Sequence, residues 1–278
     1  MDRRSFIALS GVAAAATPVV RSDPLPTADA RWQPDGVGSL ARIGVLTPDF
    51  DPVPESEIWT MAPNGVSIHA ARVTRKGVQA FHDEPNVDEA VEQLADLRPQ
   101  VIVCAYTSNS YVLGAAADDR FRARLQRRAS GIPIVLTCQA ATDALRVIGG
   151  GRVALFHPPW FTEEMNAKGQ DYFRSRGLEV VSCSRISPSR SFTEVQPQEV
   201  YEWTRVNTPR EAQAVFIGGN GLRSVGAIQA LEMTLRRPVL TANQVAFWGA
   251  LHQVGLASKV KRYGKVFAAN TRQLVGAD

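Results

Sequence analysis

Short runs of β-branched and apolar residues recur along this chain with helical patterns between them, and that alternation constrains the fold more than any other feature. After Leu40 the runs fall at 42–47, 66–73, 101–105 and 133–137, and then at 152–157, 179–184, 214–218 and 238–241. Helical patterns occupy 86–97 and 110–128 in the first series and 162–176, 196–207 and 222–235 in the second. Such alternation predicts an α/β fold with parallel strands covered on both faces. A helix over 140–148 stops at Gly149-Gly150-Gly151, a terminator and hinge. Four strands on each side of it predict two similar α/β halves. One more helix is expected over 242–254.

In open sheets of this kind ligands bind beyond the carboxyl ends of the strands. Two ends stand out. Val101-Ile102-Val103 leads to Tyr106-Thr107-Ser108-Asn109, and Val215-Phe216-Ile217 leads to Gly218-Gly219-Asn220-Gly221. Small hydroxyl residues and glycines there expose backbone N–H groups at helix starts, which suits an anion. Together they predict one carboxylate-sized ligand gripped from two sides. No Gly-x-Gly-x-x-Gly follows the first strand, so a dehydrogenase reading is weak.

Charge and cysteine usage narrow the classes further. The net charge of +4 is modest, and Arg120, Arg122, Arg124, Arg127 and Arg128 interleave with Asp118, Asp119 and Leu125 along one helix. That reads as a solvated face and not as a nucleic-acid surface. Cys104, Cys138 and Cys183 lack metal-ligand or redox spacing, and Cys104 sits inside an apolar run as a small hydrophobe. No disulfide framework and no metal site is expected.

The amino terminus reads separately. Arg3-Arg4-Ser5-Phe6-Ile7 precedes an alanine-rich stretch ending near Val20, and Ala28-Asp29-Ala30 offers a small-residue cleavage site. Residues 1–30 therefore resemble a twin-arginine export signal, with 31–40 as an extended leader. The alternative is a disordered basic start. The first reading implies an exported protein and the second a cytoplasmic one. The stretch is too short and weakly apolar for stable membrane insertion.

The segments 101–114, 133–149, 152–166, 214–228 and 237–255 together resemble the maleate isomerase and arylmalonate decarboxylase branch of the Asp/Glu racemase superfamily. The most specific pieces are Thr107-Ser108, the glycine-rich end near Gly219, and 238–243 leading to Phe247-Trp248. The resemblance implies two α/β halves related by a pseudo-twofold axis, with the active site in the cleft between them and no cofactor. It also implies that the last helix packs on the first half, giving 41–149 plus 243–278 as one half and 150–242 as the other. A homo-oligomer is left open.

Members of the branch hold a small carboxylate with hydroxyls and N–H groups and use one or two cysteines. By position the cysteine sites correspond to Tyr106 and Gly219, so both thiols are replaced. Thr107 and Ser108 match the carboxylate-binding hydroxyls, and Asn220 and Gly221 match the second donor set. A family tyrosine falls on Phe161, without its hydroxyl. Thiolate addition and cysteine racemisation then lack their nucleophile. Decarboxylation or simple proton transfer needs only donors for an enediolate, an apolar pocket and a proton donor.

Three residues are candidates for acid–base work. Tyr106 stands at the first catalytic position, or is a packed strand-end tyrosine. His157 ends a strand before Pro158-Pro159, as a proton carrier or as a residue fixing the turn. Asp49 follows the first strand, to orient an acid or base or to make a turn beside Pro48. Phe50, Trp59, Trp160 and Phe161 would wall the pocket or simply pack. The sequence thus predicts a cofactor-free enzyme on a small mono- or dicarboxylate through an enediolate-like intermediate. The alternative is a carboxylate-binding protein that lost its catalysis.

Overall fold

The parallel sheets follow directly from the β-branched runs. In the computed structural model, which describes residues 35–74, 81–188, 190 and 194–269, one sheet holds β1 (Ala41–Pro48), β2 (Val66–Val73), β3 (Val101–Cys104) and β4 (Ile134–Leu136). A second sheet holds β5 (Arg152–His157), β6 (Glu179–Arg185), β7 (Ala214–Ile217) and β8 (Val239–Thr241). The orders are β2-β1-β3-β4 and β6-β5-β7-β8, and every pairing is parallel. The signal-like residues 1–30 lie outside the described residues.

Helices cover both sheets. They are α1 (Val53–Met61), α2 (Asn86–Asp96), α3 (Thr107–Leu113), α4 (Ala115–Arg128), α5 (Thr137–Val147), α6 (Glu163–Ser175), α7 (Pro197–Asn207), α8 (Ile228–Leu235) and α9 (Ala242–Gln253). The pattern at 110–128 is two helices, because Gly114 turns the chain at φ +72°. The pattern at 222–235 becomes α-helical only at Ile228, after a 3-10 turn at Val225–Ala227. Helix α1 has no counterpart in the periodicity, and it follows Pro52 at its N-cap with a second proline, Pro54, in its first turn. The end of α5 is closed by Gly149 N–H to Arg146 O and Gly150 N–H to Leu145 O.

One hydrophobic core runs through both sheets, from Val101 and Val103 through Val153 and Leu155 to Phe216, Phe247 and Trp248. Smaller clusters fill the outer face of each sheet. Helix α9 packs on α5, β3 and β4. In each sheet the chain runs outward from a central strand, β1 or β5, and then crosses back to the strand on its other side, β3 or β7. Each crossing leaves a crevice at the carboxyl ends of those two strands. The candidate site lies where the two crevices meet.

Candidate active site

A cavity of about 520 Å³ is built from the segments that follow β1, β3, β5 and β7. The floor carries Tyr106, Thr107 and Ser108 from one sheet and Gly219, Asn220 and Gly221 from the other. The walls are Phe50, Trp160, Phe161 and Met165, with Asp51 and Thr162 beside them. That size falls in the range of small-molecule pockets. A second hollow of about 570 Å³ lies elsewhere, among Arg122, Val135, Trp248 and His252, and shares no residue with the strand ends.

The two strand ends touch each other directly. Thr107 donates both its backbone N–H and its hydroxyl to Asn220 Oδ1, each at 2.7 Å, and Gly219 N–H donates to Thr107 Oγ1 at 3.2 Å. Thr107 and Asn220 are almost wholly buried, so these donors must pair within the protein. The sequence reading offered Thr107 and Gly219 to a ligand. The structure commits them to each other. Ser108 lines the same floor, and its hydroxyl has no protein partner among the described residues. Asn220 Nδ2 continues inward to Asn243 Oδ1 at 2.8 Å and Thr137 Oγ1 at 3.2 Å.

Gly219 is fixed by geometry. Its φ is +88°, and a Cβ built there would lie 2.2 Å from Pro158 Cγ. Position 219, matched above to a family cysteine, therefore admits no side chain in this backbone. Pro158 fills that space instead.

Tyr106 lines the cavity, and its ring packs against buried Phe81 at 4.6 Å between centroids. Its strand-end packing and its place at the pocket coexist. His157 is elsewhere. It is wholly buried below the floor, with Nε2 3.0 Å from Tyr111 Oη and Nδ1 3.0 Å from Asn166 Oδ1. Burial pushes its pKa down to about 4, the Asn166 contact opposing, so the ring is neutral at neutral pH. Gly169 and Gly218 close over it, each too near His157 and Tyr111 for a Cβ without displacement. A proton carrier must reach its substrate, and His157 lines no part of the cavity. Asp49 is exposed and also absent from the lining, because the Pro48 turn sends it outward. The acid at the pocket is Asp51, buried and accepting Val53 N–H at the start of α1. Trp59 is half-exposed on α1 and does not reach the cavity.

None of the three cysteines lines the cavity. Burial raises all three thiols. Cys104 and Cys138 are pushed far up, and Cys183, 3.5 Å from His157 Nδ1, to about 12. All are thus held as thiols. Among the described residues no group of three His, Cys, Asp or Glu side chains is placed to hold a metal ion. No described helix is long and apolar enough to cross a membrane.

The comparisons with known proteins agree with this architecture. Arylmalonate decarboxylase of Bordetella bronchiseptica is 23% identical over 251 residues, covering 87% of this chain and 91% of that protein. Maleate isomerase of Alcaligenes faecalis is 22% identical, covering 82% and 96%. Among solved structures, the maleate isomerase Iso of Pseudomonas putida S16 superposes with a TM-score of 0.75 at 21% identity, over 83% of this chain and 98% of that one. A cysteine-to-serine variant of the Nocardia farcinica maleate cis–trans isomerase, which carries a covalently bound succinylcysteine intermediate, superposes with a TM-score of 0.73 at 21% identity. It covers 81% of this chain and 97% of that one. At these identities the structural likeness speaks for the fold alone. The profile of the arylmalonate decarboxylase family matches residues 56–267, and the chain belongs to that family.

Proposed function

We propose that this chain is a cofactor-independent enzyme that decarboxylates a malonate-type acid bearing an aryl-sized apolar substituent. The observation that carries the reading is the composition of the cavity at the strand ends: a polar floor beneath Phe50, Trp160 and Phe161, and no thiol in the lining. One carboxylate would be held by Ser108 Oγ and the backbone N–H groups of Ser108, Asn220 and Gly221. The other would face the aromatic wall, where poor solvation favours its departure as neutral carbon dioxide.

The step balances with the groups present. The bond from the α-carbon to the departing carboxylate breaks, and its electron pair passes into the retained carboxylate as an enediolate. Floor donors stabilise the charge that develops there. The Tyr106 phenol delivers a proton to the α-carbon and is reprotonated from water. Addition of a thiolate to a double bond is disfavoured, since the cavity presents no thiolate.

A second reading, a carboxylate-binding protein without turnover, is favoured by one observation: Gly219 and Pro158 leave no room for a reactive side chain at the second strand end. Phenylmalonate separates the two. The enzyme reading expects release of carbon dioxide and phenylacetate, and Tyr106→Phe should lower turnover by about a hundredfold or more, the usual share of a general acid, with binding retained. Binding of phenylmalonate without product would favour the second reading. Full activity in Tyr106→Phe would remove the tyrosine from the mechanism.

A further inference from the structure

Glu57 on α1 is buried at the junction of three segments, and no Lys or Arg among the described residues pairs with it. Its Oε1 accepts the N–H groups of Ser224 at 2.6 Å and Val225 at 3.0 Å. Its Oε2 accepts Asn243 Nδ2 at 2.7 Å. A carboxylate can only accept, so Asn243 must turn its Nδ2 toward Glu57 and its Oδ1 toward Asn220. Asn220 then turns its Nδ2 toward Asn243 and its Oδ1 toward the two donors of Thr107. Asn243 Nδ2 also donates to Asn220 O at 2.8 Å. When ionised, Glu57 thus sets the direction of the Asn243 and Asn220 amides between α1 and the cavity floor, and its protonation removes that constraint.

We propose that Glu57 is a positioning residue that acts through Asn243 and Asn220 to hold Thr107 and Gly219 together, and so sets the span between the two sides of the floor. The inference rests on the carboxylate reading only in assigning that span to a ligand. The network itself exists without one.

Burial of this carboxylate costs stability, which a purely structural contact would avoid. Desolvation pushes its pKa up to about 7, against the bonds from Asn243, Val225 and Ser224, and nearby Asp51 adds to the rise. Because the folded value is the higher one, the folded chain holds more protons than the unfolded chain between about 4.5 and about 7. Stability from this group therefore falls as pH rises through that window. Other charges near α1 are engaged elsewhere. Arg223 shares a cavity with Glu57 and donates to Gln196, and Arg72 on β2 pairs with Glu55. Helix α9 carries no ionisable side chain before His252 at its far end.

Amide NMR of the full chain, without ligand, between pH 5.5 and 8.5 tests the proposal. In the wild type the Thr107 and Gly219 amide signals should titrate together with a midpoint near 7. In Glu57→Gln that titration should vanish, and exchange at Thr107 and Gly219 should rise by about tenfold or more, as for a buried hydrogen bond lost. Thermal stability at pH 8 should hold. Asn243→Ala provides a second variant, with the same loss at Thr107 and Gly219 while Ser224 and Val225 stay protected. Flat wild-type signals at Thr107 and Gly219 would overturn the proposal. So would changes confined to Ser224 and Val225 in Glu57→Gln. Neither result bears on phenylmalonate turnover, so the two readings fail separately.

Discussion

The ends of β3 and β7 face each other across one floor, yet they serve it with different chemistry. The β3 end brings side chains: Tyr106 and Ser108 line the cavity, and the Thr107 hydroxyl ties the floor to Asn220. The β7 end brings backbone, because Gly219 at φ +88° lies against Pro158 and leaves no space for a Cβ. The ends of β1 and β5 are alike by contrast. Each runs into a proline, Pro48 or Pro158, and then supplies an aromatic wall, Phe50 or Trp160 with Phe161. The cleft thus has matched walls and an unmatched floor. Side chains with hydroxyl groups are concentrated on one side, and close backbone approach on the other.

The contrast is broken most severely at Gly219. Gly219→Ala should destabilise the fold by about 2–4 kcal/mol, combining left-handed strain with overpacking against Pro158. Gly114 also has positive φ, with ψ at +163°, but open space around it, so Gly114→Ala should lose only the backbone strain, about 1–3 kcal/mol. Urea unfolding of the two variants checks the difference. Equal losses would mean that Pro158 does not define the floor.

A second test concerns the boundary between floor and core. His157 has a folded pKa near 4 against an ordinary 6.5, so the unfolded chain takes up the proton first as pH falls. Its contribution to stability is whole above about 6.5 and is lost as pH falls toward 4. Relative to His157→Gln, the wild type should lose up to about 3 kcal/mol across that range. Taking the difference also cancels the opposite trend from Glu57, provided the two sites are independent. A pH-independent difference would mean that His157 is solvated, and would return it to the list of proton carriers.

These tests fall where the sequence was hardest to read. Both sheets were legible because fully buried parallel strands must be continuous apolar runs, as in Val101-Ile102-Val103. The floor was legible as polar residues after such runs. Helix α1 was not, since Pro52 and Pro54 read as loop and its polar residues do not gather on one face. With it went Glu57, whose role depends on Asn243, 186 residues away in sequence. Asp49 and Asp51 flank the same turn, and only the backbone path after Pro48 tells which one turns inward. Thr107 and Asn220 both looked like ligand donors. Nothing local could reveal that they satisfy each other across 113 residues. His157 sits at a strand end like Tyr106, but Gly169 and Gly218 allow the core to close around it.

The central claim is that this floor works on a carboxylate without sulfur. Turnover of phenylmalonate in deuterium oxide by the wild type and by the Cys104→Ser/Cys138→Ser/Cys183→Ser variant tests it most directly. The account predicts α-deuterated phenylacetate from both proteins, at rates within about threefold after allowing for a packing penalty at the buried thiols. A folded variant of wild-type thermal stability that makes no product, beside an active wild type, would contradict it.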